Sequence, residues 1–334
     1  ELPMTRPVVL CTLPMPPSGD AMLAGIADII VAPDTQADTF RRMVGDADYL
    51  LVRNHLPADL LDRPHRLKGI VRNGTGLDMI PVAAATAQGV PVANVPGANA
   101  QAVAEYVVGS LLHAARRFGA IDRSLHETDW GTARALSGAT FEWSGKTIGI
   151  VGVGDIGRRV ARICHDGLGM KVLGYQPNAA DLPDYVEAVP LADLLARSDA
   201  VTLHCPLTDQ TRQMITLDRL KTMKPSAWLV NAARGEVVDE VALAQALNEG
   251  VIAGAAIDVY ANQPLRRDHP LLTARNAVLT PHVAALTEES SVKMSEGAAR
   301  QLVQLIRGER PTYLVNPETW DGAAARQHAK EAAA

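Results

Sequence analysis

Polar residues at three points in the C-terminal half of the chain could act on one small molecule if folding brings them together. His282 follows Pro281 in NAVLTPHVA, where a short apolar run stops. A histidine titrates near neutral pH, so at a strand end it can move a proton to or from a reacting oxygen. Arg234 stands in NAARGEVVD, again directly behind an apolar run. Its planar guanidinium suits a carboxylate, which it can hold through two parallel bonds. Asp258 and Gln263 follow a third such run, IAGAAIDVY. Singly, each has an ordinary reading: an ion-pair arginine, a capping aspartate, a loop histidine. Together they are distinguished by standing at the ends of successive apolar runs.

A further apolar run, KTIGIVGVG, leads into GDIGRRVA and places Gly152, Gly154 and Gly157 in the G-x-G-x-x-G spacing. A strand enters the glycines and an amphipathic helix leaves them, which is the context that gives the spacing meaning. There the first glycine makes a tight turn, the second lets backbone approach a pyrophosphate, and the third lets helix and strand pack closely. The free N–H groups of the helix start then face the anion. The next run, KVLGYQ, ends at Gln176, where an acid would hold the ribose 2′-hydroxyl of NAD. Gln176 does not repel a 2′-phosphate, and no Arg or Lys follows closely to attract one. Both NAD and NADP stay open.

These groups need elements to position them. Short β-branched runs alternate with Ala- and Leu-rich helical stretches along the chain. One set of runs covers 8–13, 28–32, 49–54, 67–74 and 90–97; a second covers 146–154, 171–176, 200–206, 227–235, 252–260 and 276–282. Runs apolar throughout, rather than alternating, suit parallel strands covered on both faces. The expected class is α/β with parallel sheets. Six strands are countable in the second set. Ligands bind beyond the carboxyl ends of such strands, so Arg234, Asp258, Gln263 and His282 should crowd one rim. A long helix over about 100–119 separates the sets, the segment HETDWGTARALSG after it reads as a loop, and 288–308 is helical again. DGAAARQHAKEAAA at the end reads as a frayed or loose helix.

Composition narrows the possible partners. Net charge is −5 with no basic block, which speaks against a nucleic-acid partner. No apolar run is long enough to cross a membrane, and no signal-type segment opens the chain. The three cysteines, Cys11, Cys164 and Cys205, are widely spaced, so a reduced, cytoplasmic protein is expected. No H-x-x-x-H pair occurs among the nine histidines, and no metal site is expected.

The segments NGTGLDMI, NVPGANAQAVAEYVVG, GKTIGIVGVGDIGRRVA, HCPLTDQT, NAARGEVVDEVAL, GAAIDVY and NAVLTPHVA follow in order. Over about 45–316 the chain thereby resembles the D-isomer-specific 2-hydroxyacid dehydrogenases. The resemblance implies two Rossmann-like domains with a substrate cleft between them, and a homodimer. It implies a flavodoxin-like substrate domain over 1–99, completed by the C-terminal helix at about 288–334, and a dinucleotide-binding domain over 100–287. It implies that Arg234 binds the carboxylate of a 2-keto or (R)-2-hydroxy acid and polarises its carbonyl, and that His282 is the acid/base. Asp258 would face the nicotinamide carboxamide. Besides the glycines, Gln176 and His282, the cofactor would be lined by Asp155, Ile156, Cys205, Pro206, Thr211 and Ala232. Asn73, Gly74, Thr75 and Gly76 would offer N–H groups to the carboxylate, and Arg53 would grip a second anionic group.

One departure bears on the chemistry. The family usually has a glutamate beside its histidine, where this chain has Gln263. The formate dehydrogenases of the same superfamily pair a glutamine with the histidine and carry a similar QP…DHP stretch. Two alternatives therefore stand beside hydroxyacid chemistry: a formate-like hydride abstraction without a proton shuttle, and a nicotinamide-sensing scaffold without catalysis.

Overall fold

The computed structural model describes residues 6–178 and 181–320. The opening ELPMT and the stretch from 321, with its expected loose helix, lie outside the described residues. The chain forms two compact units, 1–99 with 286–334, and 100–285.

In the first unit five parallel strands form one sheet in the order β2-β1-β3-β4-β5, as in flavodoxin-type folds. They are β1 Val8–Cys11, β2 Asp28–Val31, β3 Tyr49–Val52, β4 Gly69–Arg72 and β5 Val92–Ala93. Phe40, Leu60, Leu61 and Ile80 pack on one face. Leu23, Ala298, Ala299 and Leu302 pack on the other. The last three belong to the helix Glu288–Ile306, which returns the chain to this unit. That helix starts with a reciprocal cap: the Thr287 hydroxyl accepts the Ser290 N–H, and the Ser290 hydroxyl accepts the Thr287 N–H.

The second unit holds seven parallel strands in the order β12-β11-β10-β9-β6-β7-β8. These are β6 Thr147–Val151, β7 Lys171–Tyr175, β8 Val186–Ala188, β9 Ala200–Leu203, β10 Trp228–Asn231, β11 Gly254–Ile257 and β12 Ala277–Leu279. The central β9, β10 and β11 are buried at every residue, as their uninterrupted apolar runs require. Leu194 and Leu243 cover one face of the sheet. Val107, Leu111 and Val160 cover the other.

Three sequence expectations need correcting here. The sheet has a seventh strand, β8, which pairs with β7 from Val172↔Val186 to Gly174↔Ala188. At three residues, two of them exposed, it makes no apolar run. The helix expected over about 100–119 ends at Arg116, because Arg117 takes a left-handed conformation at φ 53°. The loop expected over 126–138 is mostly helical: it takes the end of the helix Phe118–Glu127, then Trp130–Ala135 and the short turn Leu136–Ala139. Asp129 caps the second of these by accepting the Thr132 N–H at 3.0 Å.

Candidate active site

The glycine loop sits where β6 ends. Gly152 turns the chain at φ 90°. A Cβ there would lie 2.8 Å from the backbone of His204 and Cys205, and one on Gly157 would lie 2.2 Å from the Gly152 carbonyl oxygen. Only glycine lets these segments close up. Gly154 differs, because nothing lies within 4 Å of a Cβ built on it. Its backbone faces open space at the start of the helix Asp155–Arg162, where Asp155, Ile156 and Gly157 form the first turn. The residues present thus fit a dinucleotide pyrophosphate: a close-packed turn, room above it, and helix N–H groups aimed outward.

Register places Gly152, Gln176 and His204 side by side, one step beyond Val151, Tyr175 and Leu203. Gln176 Oε1 accepts the Val153 N–H at 3.2 Å, and its Nε2 donates to the Asn178 carbonyl at 2.7 Å. Cys205 and Pro206 continue from β9. The Thr211 hydroxyl donates to the Pro206 carbonyl at 2.6 Å, closing that loop. Burial pushes the His204 imidazole down to about 3, so it stays neutral at any working pH. Burial also raises the Cys205 thiol to about 11. Neither group is set up for acid–base work near neutrality.

At the other half of the sheet, β10, β11 and β12 end level, with Asn231 opposite Ile257 and Ile257 opposite Leu279. Ala232 and Arg234 follow β10, Asp258 follows β11, and His282 follows β12. A Cβ on Gly235 would lie 2.0 Å from the Tyr260 carbonyl carbon, so the arginine turn and the segment leading to Gln263 are in contact. Asn231 Nδ2 donates to the Arg234 carbonyl at 2.9 Å, and Arg234 Nη1 donates to the Ala233 carbonyl at 2.7 Å.

Asp258 was expected to face a nicotinamide. In the structure it has 0 % exposure and serves the histidine loop. Its Oδ1 accepts the Thr280 hydroxyl at 2.6 Å and the Val283 N–H at 2.8 Å; its Oδ2 accepts the Ala284 N–H at 2.9 Å. Its carbonyl accepts the His282 N–H at 2.8 Å. His282 itself is held at φ 56°, a left-handed backbone costing roughly 1–2 kcal/mol for a residue with a Cβ. Three charge-assisted bonds from one carboxylate outweigh that cost, at about 1.5–3 kcal/mol each. Burial raises the neighbouring Tyr106 and Tyr260 hydroxyls, Tyr260 to about 12, and the Asp258 charge adds to both shifts.

His282 Nδ1 meets Gln263 Oε1 at 2.9 Å. Gln263 Nε2 donates to the Tyr260 carbonyl at 3.2 Å, which orients the amide. An amide oxygen accepts only, so Nδ1 carries the hydrogen and Nε2 is the nitrogen that titrates. Glu240 secures the loop bearing Gln263 at both ends. Its Oε1 accepts the Ala261 N–H at 2.7 Å, and its Oε2 lies 3.0 Å from His269 Nε2.

In the first unit, Val52 pairs with Arg72, which puts Arg53 beside Asn73 where β3 and β4 end. Asn73 is buried, Gly74 turns at φ 141°, and Thr75 is exposed. Arg53 is half-buried and donates to the Pro14 carbonyl. Burial lowers its guanidinium's proton affinity. Among the described residues no group of three His, Cys, Asp or Glu side chains comes together in metal-binding fashion. No described helix is long and apolar enough to cross a membrane.

The model of the D-isomer specific 2-hydroxyacid dehydrogenase NAD binding domain matches residues 108–284. A glyoxylate reductase of Thermofilum pendens is 38% identical over 94% of this chain and 96% of its own length. The chain belongs to the D-isomer-specific 2-hydroxyacid dehydrogenase family. Among solved members of this fold, the NADPH-dependent glyoxylate/hydroxypyruvate reductase of Sinorhizobium meliloti, in complex with NADP and malonate, superposes with a TM-score of 0.83. It is 26% identical, covering 94% of this chain and 98% of its own. The NAD-dependent formate dehydrogenase of Staphylococcus aureus, in complex with NAD, gives 0.82 at 27% identity, covering 90% and 96%. This dehydrogenase is accordingly an NAD(P)-dependent oxidoreductase with an α/β fold built on two parallel sheets.

Several residues that brace these loops escaped sequence reasoning. Glu240 was not singled out, and His269 entered only within the QP…DHP stretch. Thr280 read as the tail of an apolar run. Arg72 was overlooked, although a charge inside the buried run GIVR was a usable signal.

Proposed function

We propose that this dehydrogenase reduces a small 2-keto acid to the (R)-2-hydroxy acid, with Arg234 holding the carboxylate and polarising the carbonyl and His282 supplying the proton. The observation that carries the reading is the oriented pair at Gln263 and His282, which leaves Nε2 as the one titrating nitrogen, on a loop that buried Asp258 braces. The nicotinamide, when bound, supplies or accepts the hydride. For reduction, His282 Nε2 gives its proton to the carbonyl oxygen; for oxidation, neutral Nε2 takes it back. Thr75 and Gly76 receive the carboxylate. Arg53 receives a second anionic group where the acid carries one. The name of the Thermofilum relative supports glyoxylate, and that of the Sinorhizobium enzyme adds hydroxypyruvate.

Gln263 is the specific observation favouring the formate-like reading, since hydride abstraction from formate needs no proton shuttle. Turnover followed by nicotinamide absorbance with glyoxylate, hydroxypyruvate, pyruvate and formate separates the readings. Keto-acid reduction is the expected result. Formate oxidation without keto-acid reduction would replace the reading, and cofactor binding without turnover would leave the scaffold.

Gln176 sets the expected cofactor preference. It brings no charge against a 2′-phosphate, so NAD and NADP should both serve. Gln176→Asp should lower kcat/KM with NADP more than with NAD. Equal effects on the two would mean that residue 176 does not face the ribose.

We also propose a homodimer in the cytoplasm. The helix Phe118–Glu127 buries none of its residues in its own unit. Phe118, Leu125 and Trp130 are 58%, 47% and 70% exposed. Such a patch suits a second copy. Light scattering should give a mass of two chains; a mass of one would refute the assembly. All three cysteines are free thiols, which suits a reducing compartment. Fractionation would test that placement, a secreted pool counting against it.

A further inference from the structure

We infer that Arg72 is the positioning residue that makes the loop over 73–76 an anion receiver. This rests on the reading that the loop takes the substrate carboxylate. A peptide loop exposes both of its poles, carbonyl and N–H, unless something takes up one of them. Here all four carbonyls are taken up. Arg72 Nη1 donates to the Asn73 carbonyl at 2.7 Å, and Arg72 Nε donates to the Gly76 carbonyl at 3.1 Å. The Val95 N–H donates to the Gly74 carbonyl at 2.9 Å, and Asn94 Nδ2 donates to the Thr75 carbonyl at 2.9 Å. Among the described residues, no acceptor meets the N–H of Thr75 or of Gly76. The loop therefore turns its positive pole outward at its exposed residues, an anion-binding arrangement.

Arg72 adds two things to this geometry. Its Nη1 also donates to the Val52 carbonyl at 3.0 Å, so one guanidinium ties the end of β3 to the loop after β4. It also lies directly behind the loop: a Cβ on Gly74 would sit 3.4 Å from Arg72 Cζ. A full positive charge thus stands one backbone layer behind the two outward N–H groups. The planar fork is what reaches three carbonyls at once. A lysine keeps the charge but offers a single point and cannot span them.

The test uses the full chain with NADH bound and oxamate as the keto-acid analogue, with threonine and glycine amides labelled for NMR. In the parent, the Thr75 and Gly76 amide resonances should move as oxamate binds. In Arg72→Lys, oxamate affinity should fall about tenfold or more, as for a lost charge-assisted hydrogen bond. KM for the keto acid should rise by a similar factor, with kcat changed far less and NADH affinity unchanged. A variant with merely damaged folding would lose NADH affinity as well. Asn94→Ala removes one carbonyl partner without touching the guanidinium and should show the same pattern at smaller amplitude. It decides the matter if Arg72→Lys does not fold, since parent-like oxamate binding would then overturn the proposal. Parent-like affinity in Arg72→Lys with the two amides still moving would overturn the role of Arg72 alone. Oxamate binding to the parent with both amides still would overturn the carboxylate-loop reading, and this inference with it.

Discussion

Arg234→Lys should lower kcat/KM for the keto acid roughly 100-fold or more, with NAD(P) affinity unchanged. The substitution keeps the positive charge, so a purely electrostatic role would survive it. What it removes is a flat fork whose place the fold fixes tightly. The Arg234 carbonyl is held by Asn231, and the next residue, Gly235, is closed against Tyr260 and Ala261. A lysine on this turn presents one flexible ammonium and cannot hold a carboxylate and orient a carbonyl together. Steady-state kinetics of the two proteins check this. Activity within a few-fold of the parent would show that Arg234 is not the anchor.

Gln263→Glu should move both pH limbs upward, by about one pH unit or more, at the same histidine. The parent amide accepts the Nδ1 hydrogen without charge, at 2.9 Å. A carboxylate in its place stabilises the imidazolium and raises its pKa relative to the parent. Reduction needs the protonated ring, so it is lost as pH rises through that pKa, and the variant should keep it to higher pH. Oxidation needs the neutral ring, so it is lost as pH falls, and the variant should lose it earlier. Between the two pKa values the substitution therefore changes the protonated fraction of the histidine by up to about tenfold for each pH unit that separates them, while the ratio of the two directions at any one pH stays fixed by the reaction's equilibrium. Profiles of kcat/KM in both directions for both proteins are the measurement. Superimposable profiles would mean that His282 is not the proton-transfer group or that Gln263 does not influence it.

Much of this was legible in the sequence because burial writes itself into composition. Strands covered on both faces must be apolar throughout, so β9, β10 and β11 stood out, and the residues at their ends could be named. The glycine loop was legible because two close backbone contacts demand Gly152 and Gly157, and the approach of a pyrophosphate asks for the open backbone at Gly154. Edge strand β8 carries no such requirement, with two of its three residues in solvent. The helix Phe118–Glu127 buries no residue in its own unit, so no core-facing run marked it off from the helix before it. Asp258 illustrates a different limit. Its position at a strand end was plain, but whether a carboxylate there turns outward or inward depends on where the Val283 and Ala284 N–H groups point. No spacing rule carries that. The roles of Arg72 and Glu240 depend likewise on backbone carbonyls and N–H groups, which every residue possesses.

The left-handed backbone at His282 sets the two demands on position 282 against each other. Glycine pays no steric penalty at φ 56°, and asparagine tolerates it better than most residues. The residue best for folding there is therefore not the one that can move a proton. A library screened for thermal resistance alone would drift at this position toward Gly or Asn, gaining stability as it lost turnover. A screen for turnover would retain the histidine and recover stability elsewhere. An inactive relative in which only this site has relaxed would then be expected to melt higher than its active counterpart, a stability–activity trade-off located in one dihedral angle.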